Sequence, residues 1–130
     1  MIDSNLVAEA GAIVLNSSAR APETARKWLA DVFRQYALGD DYIARTVVTE
    51  LVTNVHRHTD TPLIPVRLLL KDGHAIVEVE DCSNEHPVVQ GEDDTAESGR
   101  GLLVLSLLVQ DWGVRSLEGG GKIMWARLGE

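Results

Sequence analysis

The feature that most constrains this chain is a change of hydrophobic period near Pro62. Upstream, Ala44, Val48, Leu51 and Val55 recur three or four residues apart, which at about 100° per residue forms one stripe of a helix ending near His58. Downstream, Val66, Leu68 and Leu70 alternate with other residues, Asp72-Gly73 offers a turn, and Ala75, Val77 and Val79 alternate again. A helical stripe followed at once by a period-two hairpin predicts helices laid on a sheet.

The flanking segments extend this pattern. Gly11–Asn16 is short, apolar and β-branched, which suits a first strand, an edge position among its options. Pro22 opens a helix with Ala25, Trp28, Leu29, Val32, Phe33 and Tyr36 at helical spacing, ended by Gly39, and Asp40 reads as the N-cap of the next helix. Asn84–Ser98 is polar, carries Glu92-Asp93-Asp94 and Glu97, and reads as a loop. Gly99-Arg100-Gly101 then leads into Leu102–Val109, too leucine-rich and long for one strand and better suited to a buried helix. Strands over Gly113–Leu117 and Lys122–Leu128, joined through Gly119-Gly120-Gly121, complete the order. Hairpin-joined strands with intervening helices imply an α+β two-layer sandwich, a mostly antiparallel sheet covered on one face by helices.

Composition excludes several classes of function. At 130 residues the chain fits a single domain over 1–130, with 45% hydrophobic and 25% charged residues, close to the soluble globular average. Its one cysteine, Cys82, rules out an internal disulfide and argues against a cysteine-built zinc site. A net charge of -8 without a Lys/Arg cluster makes nucleic acid a poor partner. A single nucleotide remains compatible, because backbone N–H groups and Mg2+ hold a few phosphates without a basic surface. Met1–Asn5 carry no basic n-region, and no run approaches the roughly 18 apolar residues of a membrane span, so a cytoplasmic protein is expected.

Three places carry candidate chemistry. Glu50, Asn54 and Arg57 share a face of the stripe helix, with His58 at its margin. A carboxylate and an amide on adjacent turns can polarise a hydroxyl and ligate Mg2+; a merely solvated helix face is the competing reading. In Ala75–Asp81, alternation puts Asp81 on the apolar face of Val77 and Val79, where a carboxylate needs a partner. The exocyclic amine of adenine would serve, and so would a cap on the Cys82-Ser83-Asn84 turn. Gly99 and Gly101 before a helix allow close approach of phosphate to backbone, or belong to an ordinary loop. His56 and His58 point in different directions on a helix, so they are not expected to share a metal.

In order and spacing these elements resemble the Bergerat-fold, histidine-kinase-like ATPases of the GHKL superfamily, and within it the anti-sigma-factor serine/threonine kinases. Thr49–Thr59 resembles the N-box, Val79-Glu80-Asp81-Cys82-Ser83 with Pro87 the G1 box, and Glu97–Leu102 the G2 box. Gly121-Lys122 with Met124-Trp125-Ala126 resembles the last glycine-containing strand. The resemblance implies ATP and Mg2+ as cofactors, with Glu50 as general base or hydroxyl-orienting group and Asn54 as the protein ligand of Mg2+. It implies that Asp81 reads adenine and that Gly99, Arg100, Gly101 and Leu102 meet the phosphates below a short lid over Asn84–Ser98. Arg57, His58, Ser83 and Lys122 complete the implied ATP site. A sigma factor and an antagonist protein are the implied partners, in transcription regulation, and relatives often form homodimers. Ser83 stands where many relatives have glycine, and Glu97 where the sporulation kinases place a basic residue. A nucleotide-dependent protein-binding module with little kinase activity is therefore the alternative function.

Overall fold

A computed structural model describes residues 7–85 and 97–129, with 97–101 as backbone. Met1–Asn5, Pro87 and the part of the expected Asn84–Ser98 lid between 86 and 96 lie outside the described residues. The elements are β1 (Ala8–Asn16), α1 (Ala21–Gln35), α2 (Tyr42–His58), β2 (Leu63–Lys71), β3 (His74–Asp81), α3 (Glu97–Leu108), β4 (Asp111–Ser116) and β5 (Lys122–Arg127). All strand pairs are antiparallel, in the order β1-β2-β3-β5-β4. The expected α+β two-layer sandwich is thus the observed fold.

Helix α1 buries Ala25, Leu29, Val32 and Phe33 of the expected stripe and Ala21 in addition, while Trp28 is half-buried and Tyr36, just past the helix end, is exposed. It ends at Gln35, short of the expected Gly39, because Ala37 already takes a left-handed conformation, with φ of 52°. The Leu38 N–H donates to Phe33 O at 2.9 Å and the Ala37 N–H to Arg34 O at 3.3 Å, the paired bonds of a Schellman stop. The N-cap of α2 is Asp41, not Asp40. Asp40 still serves this helix end, since its Oδ1 accepts the Tyr42 N–H at 2.8 Å, while Asp41 pairs with Arg45.

Helix α2 buries Val47 and Val52 as well as the expected Ala44, Val48, Leu51 and Val55. The stripe is wide because α2 touches α1 and α3 as well as β3. Its counterpart on the sheet is Ile64, Val66 and Leu68 of β2, Val77 and Val79 of β3, and Met124 and Ala126 of β5, all buried. The β2–β3 connection is a two-residue turn at Asp72 and Gly73, whose φ of 51° and 78° match the twist of the hairpin. Beyond β3 the chain crosses by α3 to the far edge, so β5 pairs with both β3 and β4.

The face of the sheet away from the helices carries Glu78 on β3, Trp125 on β5 and Arg115 on the edge strand β4. Glu78 is 7% exposed and is held by Arg115 at 3.1 Å, with Arg67 at 3.9 Å. Gly113 lies opposite Trp125, and a Cβ there would meet the indole at 2.8 Å, so the ring covers the glycine.

Two substitutions test this packing. Leu51→Ala, at a fully buried site, is expected to cost about 2–5 kcal/mol in urea unfolding, while Leu107→Ala, 78% exposed, should change stability by less than about 0.5 kcal/mol. Ala37→Gly should leave stability unchanged or raise it by up to about 1 kcal/mol, because only glycine takes the left-handed position without cost.

Candidate functional site

Glu50 and Asn54 lie one turn apart on α2 and are both half-buried, whereas Arg57 and His58, nearer the helix end, are exposed. The first two therefore do not form a freely solvated face. Burial pushes the Glu50 carboxyl above the usual carboxylate range, and the positive charge of Arg57 opposes this. Glu50 also lines a surface cavity of about 170 Å³ with Arg26, Tyr42, Arg45, Thr46 and Thr49. Arg26 reaches into this group from α1 and donates to Thr49 Oγ1 at 3.1 Å. Asn54 Nδ2 is buried without a hydrogen-bond partner among the described residues, a state shared only with Arg127 Nε. A buried amide left unpaired is costly, and so points to a group that completes it.

Asp81 is the last residue of β3, 4% exposed, on the same side as Val77 and Val79. Its Oδ1 accepts the Ser83 N–H at 2.8 Å, which is the turn-capping arrangement open to it from sequence. It also meets Lys122, its cross-strand neighbour on β5, with Nζ at 2.9 Å from Oδ1 and 2.9 Å from Oδ2. Lys122 is 3% exposed. The carboxylate and the ammonium thus neutralise each other inside the molecule.

Neighbouring residues hold this junction in place. Gly121 has φ of 87°, and a Cβ on it would lie 2.6 Å from Asp81 O, so only glycine lets β5 start this close to the end of β3. The Gly121 N–H donates to Asn84 Oδ1 at 2.9 Å. Thr61, buried after α2, accepts the Cys82 N–H at 3.1 Å and lies 2.7 Å from Thr59 Oγ1. The end of α2 is in this way tied to the residues that follow Asp81.

Residues 15–128 match the family model of the histidine kinase-like ATPase domain. The chain belongs to that family. A comparison with curated proteins found no match.

Membership implies an adenine-nucleotide site in this histidine kinase-like ATPase, and the described residues fit one. Mg2+ bound to a nucleotide keeps several waters and takes one or two protein ligands besides phosphate oxygens. A half-buried amide with an unpartnered nitrogen, which rotation can exchange for its oxygen, suits that demand. No cluster of three or more His, Cys, Asp or Glu that could hold a metal occurs among the described residues. Helix α3 begins at Glu97, so Gly99, Arg100 and Gly101 lie in its first turns rather than in a loop before it. The first N–H groups of a helix have no partner within it, which makes this end suited to phosphate. Leu102 is 1% exposed and belongs to the core, so only its backbone is available to a nucleotide.

The supporting roles of Thr61, Asn84 and Arg26 were not legible in the sequence, and Gly121, expected in the turn and in the last glycine-containing strand, was not expected to set the approach of β5 to β3. Nothing local marks them. Their roles depend on partners more than 20 positions away in the chain.

Two results are expected from this geometry. Because the folded protein holds the Glu50 proton more tightly than the unfolded chain, the stability this group contributes is full at acid pH and is lost as pH rises through its raised pKa. Compared with Glu50→Gln, the parent should therefore lose stability as pH rises above the ordinary glutamate value of 4.5, read from thermal midpoints; equal pH dependence would count against a raised pKa. Gly121→Ala should cost about 2 kcal/mol or more in urea unfolding, from its positive φ and the contact with Asp81 O.

Proposed function

We propose that this protein is a Mg2+-ATP-dependent serine/threonine protein kinase of the anti-sigma-factor kind, which binds a sigma factor in the cytoplasm and phosphorylates an antagonist protein. The observation that carries this reading is the Glu50/Asn54 pair. A half-buried carboxyl with a raised pKa stands one turn from a buried, incompletely bonded amide. A carboxylate whose pKa is raised is a stronger proton acceptor than an ordinary one.

In this reading Asp81 accepts the exocyclic amine of adenine, and the first turn of α3, with Gly99 and Arg100, binds phosphate through its N–H groups. Asn54 would hold Mg2+, which supplies charge neutralisation on the phosphates. Glu50 orients the acceptor hydroxyl and takes its proton as the hydroxyl oxygen bonds to the γ-phosphorus. The bond from that phosphorus to the bridging oxygen breaks, and its electron pair leaves with ADP. Catalysis of this type rests on positioning and charge neutralisation, which a rigid helix face provides.

A second reading, a nucleotide-dependent protein-binding module with little or no kinase activity, is favoured by Glu97. A carboxylate there leaves the segment without the basic side chain that the sporulation kinases carry before Ser-Gly-x-Gly.

Calorimetric titration with ATP and ADP, with and without Mg2+, separates these readings from a nucleotide-free interaction domain. Asn54→Ala should abolish the Mg2+-dependent gain in ATP affinity while leaving Mg2+-free binding within about twofold; an undiminished gain would remove Asn54 from the metal site. Incubation with γ-labelled ATP and the cognate antagonist should yield phosphoserine or phosphothreonine, with Glu50→Gln slower by about 10²–10⁴-fold. Tight ATP binding with partner capture and no transfer would establish the second reading.

A further inference from the structure

Assigning Asp81 to adenine leaves unexplained the cation already bonded to it. The Lys122 side chain is 4% exposed and that of Asp81 1%. Two charges at that depth cost desolvation that an apolar pair of similar size would avoid, so stability is a weak reason for the pair.

Its hydrogen-bonding capacity is more informative. An ionised carboxylate accepts about four hydrogen bonds, and an ammonium donates three. On Asp81, Oδ1 takes the Ser83 N–H and the Lys122 ammonium, and Oδ2 lies 2.9 Å from the ammonium with no other partner among the described residues. Oδ2 thus keeps an acceptor site. Both contacts of the Lys122 ammonium go to this one carboxylate, so at least one of its three N–H groups has no partner among the described residues. An acceptor and a donor are left side by side on the helix-facing side of the sheet, at the end of β3 and the start of β5.

Adenine presents the complement. Its Watson–Crick edge carries the N6 amine, a donor, beside N1, an acceptor. We propose that Lys122 is a base-reading residue, whose ammonium donates to N1 of adenine while Asp81 Oδ2 accepts from the N6 amine. This rests on the assignment of Asp81 to adenine in the proposed function and adds a second contact with its own specificity. Guanine and hypoxanthine in the same pose would set O6 against the carboxylate and the N1–H against the ammonium. Both contacts would then be repulsive, so the pair selects adenine from the other purines. Gly121 is what makes the arrangement possible, since its backbone approach to Asp81 O fixes Lys122 opposite the carboxylate.

The test uses the intact protein and changes the ligand one atom at a time. Calorimetry compares ATP with 1-deaza-ATP, in which N1 is a C–H and the amine is kept, and with ITP. The parent should bind 1-deaza-ATP about 10- to 100-fold more weakly than ATP, the range of a hydrogen bond to a charged group, and ITP more weakly still. Lys122→Met should lose the discrimination between ATP and 1-deaza-ATP; Lys122→Arg, which keeps the charge and the donors, should retain part of it and serves if the Met variant does not fold. Equal binding of ATP and 1-deaza-ATP by the parent would overturn the proposal while leaving the ATP site standing. An undiminished ratio in Lys122→Met would also overturn it, as would a gain in ATP affinity, which would make Lys122 a competitor of the base. No binding of ATP by the parent would overturn the proposal and the proposed function together.

Discussion

The burial of α2 is the constraint on which the rest of the structure depends. Ala44, Val47, Val48, Leu51, Val52 and Val55 are at most 1% exposed, and the helix they belong to contacts α1, α3 and β3. Apolar area removed from water on three sides fixes the rotation of the helix about its axis, because turning it would expose part of that area. With the rotation fixed, Glu50 and Asn54 are held at the boundary of the core. They are neither deep enough to be excluded from solvent nor free enough to be ordinary surface residues. The raised pKa of Glu50 and the incomplete bonding of Asn54 follow from that position rather than from special neighbours.

The same sheet handles buried charge on its two faces in different ways. On the outer face Glu78 is 7% exposed and sits between Arg67 and Arg115, long side chains whose charged ends can reach water. On the helix side Asp81 takes the Ser83 N–H and is paired with Lys122, held against it by a strand that starts on a glycine no other residue can replace without strain. The outer group is a surface network on a chain of net charge -8. The inner pair is buried, and its remaining donor and acceptor are strong in a low-dielectric surrounding.

Much of this was legible in the sequence because it depends on local period. The stripe of α2, the alternation of β2 and β3 and the Asp72-Gly73 turn appear where the pattern places them. Asp81 was marked by the same logic, as a carboxylate in register with Val77 and Val79. Boundaries were less legible where a residue acts against its type. Ala37 stops α1 in a conformation usually left to glycine, and α3 begins on Glu97, taking Gly99 and Gly101 into a helix that their propensity would not favour.

The sequence by itself determined which residues face a core, since side-chain direction follows from helical and strand period, and it determined the order of elements. Only the tertiary structure decided who meets whom. Asp81 and Lys122 stand 41 positions apart and become neighbours because α3 carries the chain across so that β5, not β4, pairs with β3. Arg26 meets Thr49, and Thr61 meets Cys82, for the same kind of reason. A one-residue change of strand register would move a side chain to the opposite face, and the register is set by the packing of the whole sheet against α2, which no local segment encodes.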